Sequence, residues 1–161
     1  MHPRAEELIR SLDLEPHPEG GFYRRIHQSE SRVLREADDA VRRALTSIYY
    51  LLPEGSISRW HRVFADEAWH HYEGAAVDLL SFAPDGSNAL SQLLGPLQQG
   101  VAPACVVPAG WWQAARPLGA YVLVGCTVGP GFEFEDFTLL ADLPEADRPA
   151  PSGFADFELF L

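Results

Sequence analysis

The chain reads as an all-β fold, two facing layers of short antiparallel strands behind one short N-terminal helix. Three observations point there. From Thr46 onward, short apolar or alternating runs follow each other at close spacing, with turn residues between them. The 3.6-residue apolar period of an amphipathic helix is read only near the N-terminus. One run, residues 55 to 74, carries glycine, histidine, glutamate and glycine at a spacing that belongs to two strands and their turns.

Taken in order, Ala5, Leu8, Ile9 and Leu12 share a helical face and Pro3 suits a first turn, so residues 3 to 12 are predicted as a helix. Pro16, Pro18, Gly20 and Gly21 break regular structure, and Phe22–Ile26 starts a strand. Residues 29 to 44 are charged, and a loop or a weak helix fits them. Ser47–Leu52, Ile57–Val63, Glu67–Tyr72, Val77–Phe82, Ala89–Leu94, Cys105–Val107, Trp112–Ala115 and Ala120–Val128 are predicted strands. Pro53–Glu54–Gly55, Glu73–Gly74 and Pro84–Asp85–Gly86 supply turns. Phe132–Leu140 closes the apolar series, and 142 to 153 read as an exposed, proline-rich segment. One domain over 1–161 is expected, with its core at about 14–140 and a C-terminal extension over 141–161.

Composition bounds the function. The 161 residues are 47% hydrophobic and 22% charged, a globular balance. Against 23 acidic residues stand 12 basic ones, for a formal charge of −11. Such a surface repels phosphate backbones and anionic membranes, so neither nucleic acid nor a membrane is an expected partner. All the basic residues are arginine. That excludes a Schiff-base lysine and a phosphate-loop lysine. Cys105 and Cys126 sit in apolar runs and read as buried thiols. No charged leader or long apolar run is seen, and a cytoplasmic location is the default expectation.

Strand alternation turns the 55–74 run into a pocket wall. With His61 facing inward, Arg59 and Val63 share its face, and Glu67, Trp69 and His71 share a face on the next strand. Gly55, His61, Val63, Glu67 and Gly74 resemble the first sequence motif of the cupin superfamily, with valine at the position of a second histidine. Pro108, Gly110 and Gln113 resemble the second motif, with glutamine at its histidine. The resemblance implies a double-stranded β-helix, the cupin jelly-roll barrel. In cupins the motif histidines and glutamate usually hold a metal; here His61 and Glu67 remain, with the Gln113 carbonyl and His71 as further candidates.

His17–Tyr23, Thr46–Leu52 and Gly125–Phe132 recur in the same order in a narrower family of small, uncharacterised single-domain cupins. That family resembles the sugar-nucleotide epimerases typified by dTDP-4-dehydrorhamnose 3,5-epimerase. The resemblance implies homodimers and a pocket histidine and tyrosine that move protons without metal. On this reading His61 is the base and Glu67 its partner, no cofactor is required, and Tyr23, Tyr49 or Tyr50 is the acid. Glu19, Tyr49, Arg59, Trp69, His71, Trp111 and Gln113 are candidate contacts to a small, sugar-like ligand; Trp112 is expected to point outward. Two other functions fit the same residues: a metal-dependent oxygenase or hydrolase using His61, Glu67 and Gln113 around a divalent ion, and a non-catalytic metabolite-binding module.

Overall fold

The structure, a computed structural model, describes residues 1–149 and 151–161. Helix α1 (Pro3–Ser11) begins at His2, whose Nδ1 accepts the Arg4 amide at 3.2 Å. Ala5 and Leu8 are its buried residues, packed with Leu14 on Leu51 and Leu123.

The strands follow: β1 (Glu15–Pro16), β2 (Phe22–Gln28), β3 (Arg32–Arg35), β4 (Ala40–Arg43) and β5 (Thr46–Pro53). Next come β6 (Ser58–Val63), β7 (Asp66–Gly74), β8 (Val77–Phe82) and β9 (Leu90–Leu94). The series ends with β10 (Ala104–Val107), β11 (Trp112–Pro117), β12 (Tyr121–Gly129) and β13 (Phe137–Leu139). One sheet runs β1-β2-β5-β12-β7-β10 and the other β13-β6-β11-β8-β9. Neighbours within them pair antiparallel, and the two sheets face each other as a jelly roll. No helix among the described residues is long and apolar enough to cross a membrane.

Residues 29–44 differ from the expected loop or weak helix. They form a separate hairpin, β3–β4, turned at Asp38–Asp39, where Asp39 takes φ +56° and the Asp38 carboxylate accepts the Ala40 amide at 3.2 Å. Neither Arg32–Arg35 nor Ala40–Arg43 alternates apolar with polar residues, so the period of two is masked. Those charges hold the hairpin in place: Arg35 and Arg42 both grip Asp136 through paired hydrogen bonds of 2.8–3.0 Å. The arginines, Arg42 first, draw the Asp136 carboxyl below its ordinary value against the effect of burial.

Between the sheets, Tyr50, Leu52, Trp69, Val77, Leu79, Val122 and Val124 close one end of the barrel. A second cluster lies outside the β6–β11–β8 face. Trp60, Phe82 and Trp112 are covered there by Phe154, Phe157 and Phe160 from the C-terminal segment, and Trp60 Nε1 donates to the Phe157 carbonyl at 3.0 Å. The C-terminal extension thus folds back onto its own chain. Trp112 points away from the barrel interior, into this outer cluster.

Phe160 is 1% exposed and Leu159 is 66% exposed. Phe160→Ala is expected to cost about 3 kcal/mol in urea unfolding, the usual loss for an emptied phenylalanine site. Leu159→Ala is expected to stay within about 0.5 kcal/mol. Equal effects would show that the segment does not pack as described.

Candidate functional site

Pairing register sets which side chains meet at the open end of the barrel. Across the first sheet Tyr23 lies opposite Tyr50, and Arg25 opposite Ile48. Ile48 faces Cys126, and Val128 lies between Thr46 and Glu67. These rows form one wall of a cavity that opens to solvent at its mouth. β6 contributes His61 and Val63, the loop before β2 contributes His17 and Glu19, and Phe132, Phe134 and Phe137 form an aromatic wall.

His61 is 2% exposed. Its Nδ1 lies 2.8 Å from the Arg59 carbonyl, an acceptor only, so Nδ1 carries a proton. Nε2 faces the Glu19 carboxylate, with Oε2 at 3.2 Å. Glu19 Oε1 accepts from the Ser58 hydroxyl at 2.8 Å. Burial lowers the His61 value and raises that of Glu19. Both shifts favour the uncharged forms, imidazole beside carboxylic acid, with Glu67 acting on His61 in the opposite direction. His17 Nδ1 accepts the Glu19 amide at 3.3 Å, which leaves the His17 proton on Nε2.

Two backbone features carry Glu19 to that place. Gly20 has φ +114°, and a Cβ on it would lie 2.1 Å from the Ile57 carbonyl oxygen; Gly21 has φ +69°, and a Cβ there would lie 2.7 Å from the Leu51 carbonyl oxygen. Only glycine permits this approach. The second is a bulge in β6: Gln113 pairs with His61 but Ala115 pairs with Ser58. Three β6 residues therefore span the interval of two on β11, and Ser58 rather than Arg59 shares the inner face with His61.

Glu67 is also buried, and burial raises its carboxyl above the ordinary value, with His61 acting in the opposite direction. Its Oε2 accepts from Gln113 Nε2 at 2.5 Å, while Gln113 Oε1 accepts from Trp69 Nε1 at 3.1 Å. An indole can only donate, so the amide orientation is fixed. Burial raises the Cys126 thiol well above its usual range, which keeps it protonated.

The sequence-predicted residues are therefore divided. His61, Glu67 and Glu19 line the cavity, and the carboxylate in contact with His61 is Glu19, not Glu67. Gln113 lies behind Glu67 as its hydrogen-bond donor. Tyr49 lies on the opposite face, packed near α1 and edge-on to Tyr72; its neighbour Tyr50 lines the cavity and donates to the Gly20 carbonyl at 2.8 Å. Arg59 is turned out by the bulge and donates to the Pro18 carbonyl at 2.6 Å. Trp69 keeps the face of Glu67 but fills the closed end of the barrel. His71 keeps that face too, with Nε2 3.2–3.3 Å from the Gly74 and Ala75 carbonyls. Trp111 packs against the inner core and is no part of the lining. Sequence reasoning missed His17, Arg25, Cys126 and the three phenylalanines. The HPEGG stretch itself held the signal for His17.

The donor set does not fit a metal ion of the kind the cupin motif holds. Val63 offers no donor, and the Gln113 oxygen is taken by Trp69, with its amide nitrogen toward Glu67. Among the described residues no three His, Cys, Asp or Glu side chains are arranged to hold one.

The family model described as Cupin superfamily (DUF985) matches residues 6–140. Among solved structures, a hypothetical protein from Leishmania major is 30% identical, with a TM-score of 0.80 over 92% of this chain and 99% of that one. A protein from Shewanella oneidensis is 34% identical, with a TM-score of 0.76 over 92% of this chain and 98% of that one. Oxalate decarboxylase from Bacillus subtilis matches at 15% identity and TM-score 0.58, over 84% of this chain and 33% of its own, a likeness of fold alone. No curated protein matches the chain significantly.

The folded state holds the Glu67 proton more tightly than the unfolded chain does. This group's stabilising contribution is therefore present below the unfolded carboxylate value and is lost as pH rises through the folded one. Glu67→Gln removes that titration and keeps an acceptor for Gln113. Urea unfolding at pH 5 and pH 8 is expected to show the parent losing stability relative to Glu67→Gln at the higher pH. Parallel profiles would show that Glu67 is charged in the folded protein at both.

Proposed function

The chain belongs to the cupin superfamily (DUF985), and from the cavity it builds on that fold we propose that it is a small-molecule isomerase acting by proton transfer beside a carbonyl, without a metal. The observation that carries this reading is the 3.2 Å contact between His61 Nε2 and Glu19 Oε2 at the floor of the cavity.

The pair supplies a base and an acid at once. His61 Nε2 takes a proton from the carbon next to the carbonyl. The released electron pair forms the enol double bond, and the carbonyl oxygen takes the Glu19 proton. Imidazolium and carboxylate then face each other. Glu19 takes back an enol hydroxyl proton as the Nε2 proton, exchanged with solvent, is delivered to the same carbon or to a neighbouring one; the carbonyl re-forms, the starting pair is restored, and delivery to the neighbouring carbon makes the net change an isomerisation. Partner and tautomer are both fixed in advance: Arg59 holds the Nδ1 proton and Ser58 holds the carboxyl. Tyr50 is a poor acid for this work. Burial pushes its hydroxyl well above the usual phenol value, and its proton is engaged with Gly20.

The test is solvent deuterium uptake, followed by ¹H NMR in D₂O, over a panel of small ketones, keto acids and keto sugars. The expected result is uptake at a carbon next to the carbonyl in at least one compound. His61→Asn and Glu19→Gln are each expected to lower its rate by about 10²- to 10⁴-fold, the usual worth of a positioned acid or base. Retained rates in both variants end the proposed roles. Thermal stabilisation by a compound that takes up no deuterium favours the binding-module reading instead.

A further inference from the structure

We infer that the ligand of this cavity is a carbonyl compound with a carboxylate at the far end of an apolar, planar body, held with its carbonyl at the floor and its carboxylate on Arg25 at the mouth. The inference rests on the proposed site and names the class of compound it takes.

Arg25 is the outermost member of its row across the sheet, beyond Ile48 and Cys126. Its side chain lines the cavity while the residue stays exposed, as at a rim. Among the described residues it enters no ion pair, and it is the arginine that lines this cavity. A guanidinium left open at a cavity mouth presents a fork suited to a carboxylate.

Between mouth and floor one face of the cavity is apolar. Ile48, Val63 and Val128 face the rings of Phe132, Phe134 and Phe137. Those rings meet edge to face, with centroids 5.1–6.3 Å apart, and Phe137 lies 5.5 Å from the His61 ring. Such a wall matches a flat hydrocarbon body and offers no partner to hydroxyls facing it. Trp69 and Trp111, candidate contacts to a sugar-like ligand, lie outside the lining. One arginine, in a chain of net charge −11, suits a monoanion better than a nucleotide diphosphate.

4-Acetylbenzoate has the required layout: a methyl ketone, a flat ring and a carboxylate opposite. Calorimetric titration at low salt is expected to show it binding at least tenfold more tightly than its neutral methyl ester, and more tightly than glucose 6-phosphate. In Arg25→Met the acid-to-ester ratio is expected to fall to about one, and added salt is expected to lower it in the parent. No binding of 4-acetylbenzoate at millimolar concentration overturns the inference. So do equal affinities for acid and ester, an unchanged ratio in Arg25→Met, or tighter binding of glucose 6-phosphate. Deuterium uptake into the acetyl methyl group separates this inference from the proposed function. Selective binding with no His61-dependent uptake overturns proton transfer and supports the ligand class. Uptake equally fast from acid and ester does the reverse.

Discussion

The contact between His61 and Glu19 is the constraint around which this end of the barrel is arranged. His61 reaches it from strand β6, but Glu19 and the Ser58 that holds it do not follow regular strand geometry. Glu19 arrives on a loop that passes so near the Ile57 carbonyl that position 20 has no room for a side chain. Ser58, which holds the other carboxyl oxygen, faces inward only because β6 carries an extra residue. The Arg59 carbonyl, freed for a side-chain partner beside that bulge, takes the Nδ1 proton. A loop, a bulge and a tautomer are thus tied to one hydrogen bond, in surroundings where an isolated charge on either partner is costly.

The aromatic wall depends on a different interaction. Phe134 and Phe137 flank Asp136, which is 6% exposed and receives both Arg35 and Arg42. Two guanidinium groups on one carboxylate offset the expense of burying it, and Arg35 is further matched by Asp38. The β3–β4 hairpin, which pairs with neither main sheet, therefore serves as a brace for the segment that lines the mouth. A two-stranded hairpin alone is marginal in water, and these ion pairs with the barrel supply what its own strands lack.

How much of this was legible in the sequence follows from the range of the interactions. The strands from Thr46 to Val128 were readable because alternation and turn residues are local signals, and His61 and Glu67 were readable from their spacing. The Arg59 side chain was misplaced because a bulge resets parity without leaving a mark in the pattern. Tyr49 was preferred among the candidate contacts although Tyr50 is the inward residue; in a run as uniformly apolar as Ser47–Leu52, alternation cannot distinguish the two faces. The partnership of His61 with Glu19 spans 42 positions and depends on tertiary packing of the HPEGG loop, so spacing alone pointed to the nearer glutamate. The β3–β4 hairpin was obscured for a related reason: its charges bind Asp136, about a hundred residues away.

Val63 and Gln113 show how the cupin scaffold has been adapted. At the first position a donor is replaced by an apolar side chain that joins the cavity wall. At the second, an amide lies between an indole that only donates and a carboxyl that accepts, so its nitrogen rather than its oxygen is turned toward Glu67. Each change alone weakens a metal site; together with Glu19 opposite His61 Nε2 they form a consistent hydrogen-bond network. The ring nitrogen that would serve a metal faces the Glu19 carboxyl instead. Burial shifts the carboxyl groups and the imidazole toward their neutral forms, and on the proposed reading the protons they hold are the ones transferred.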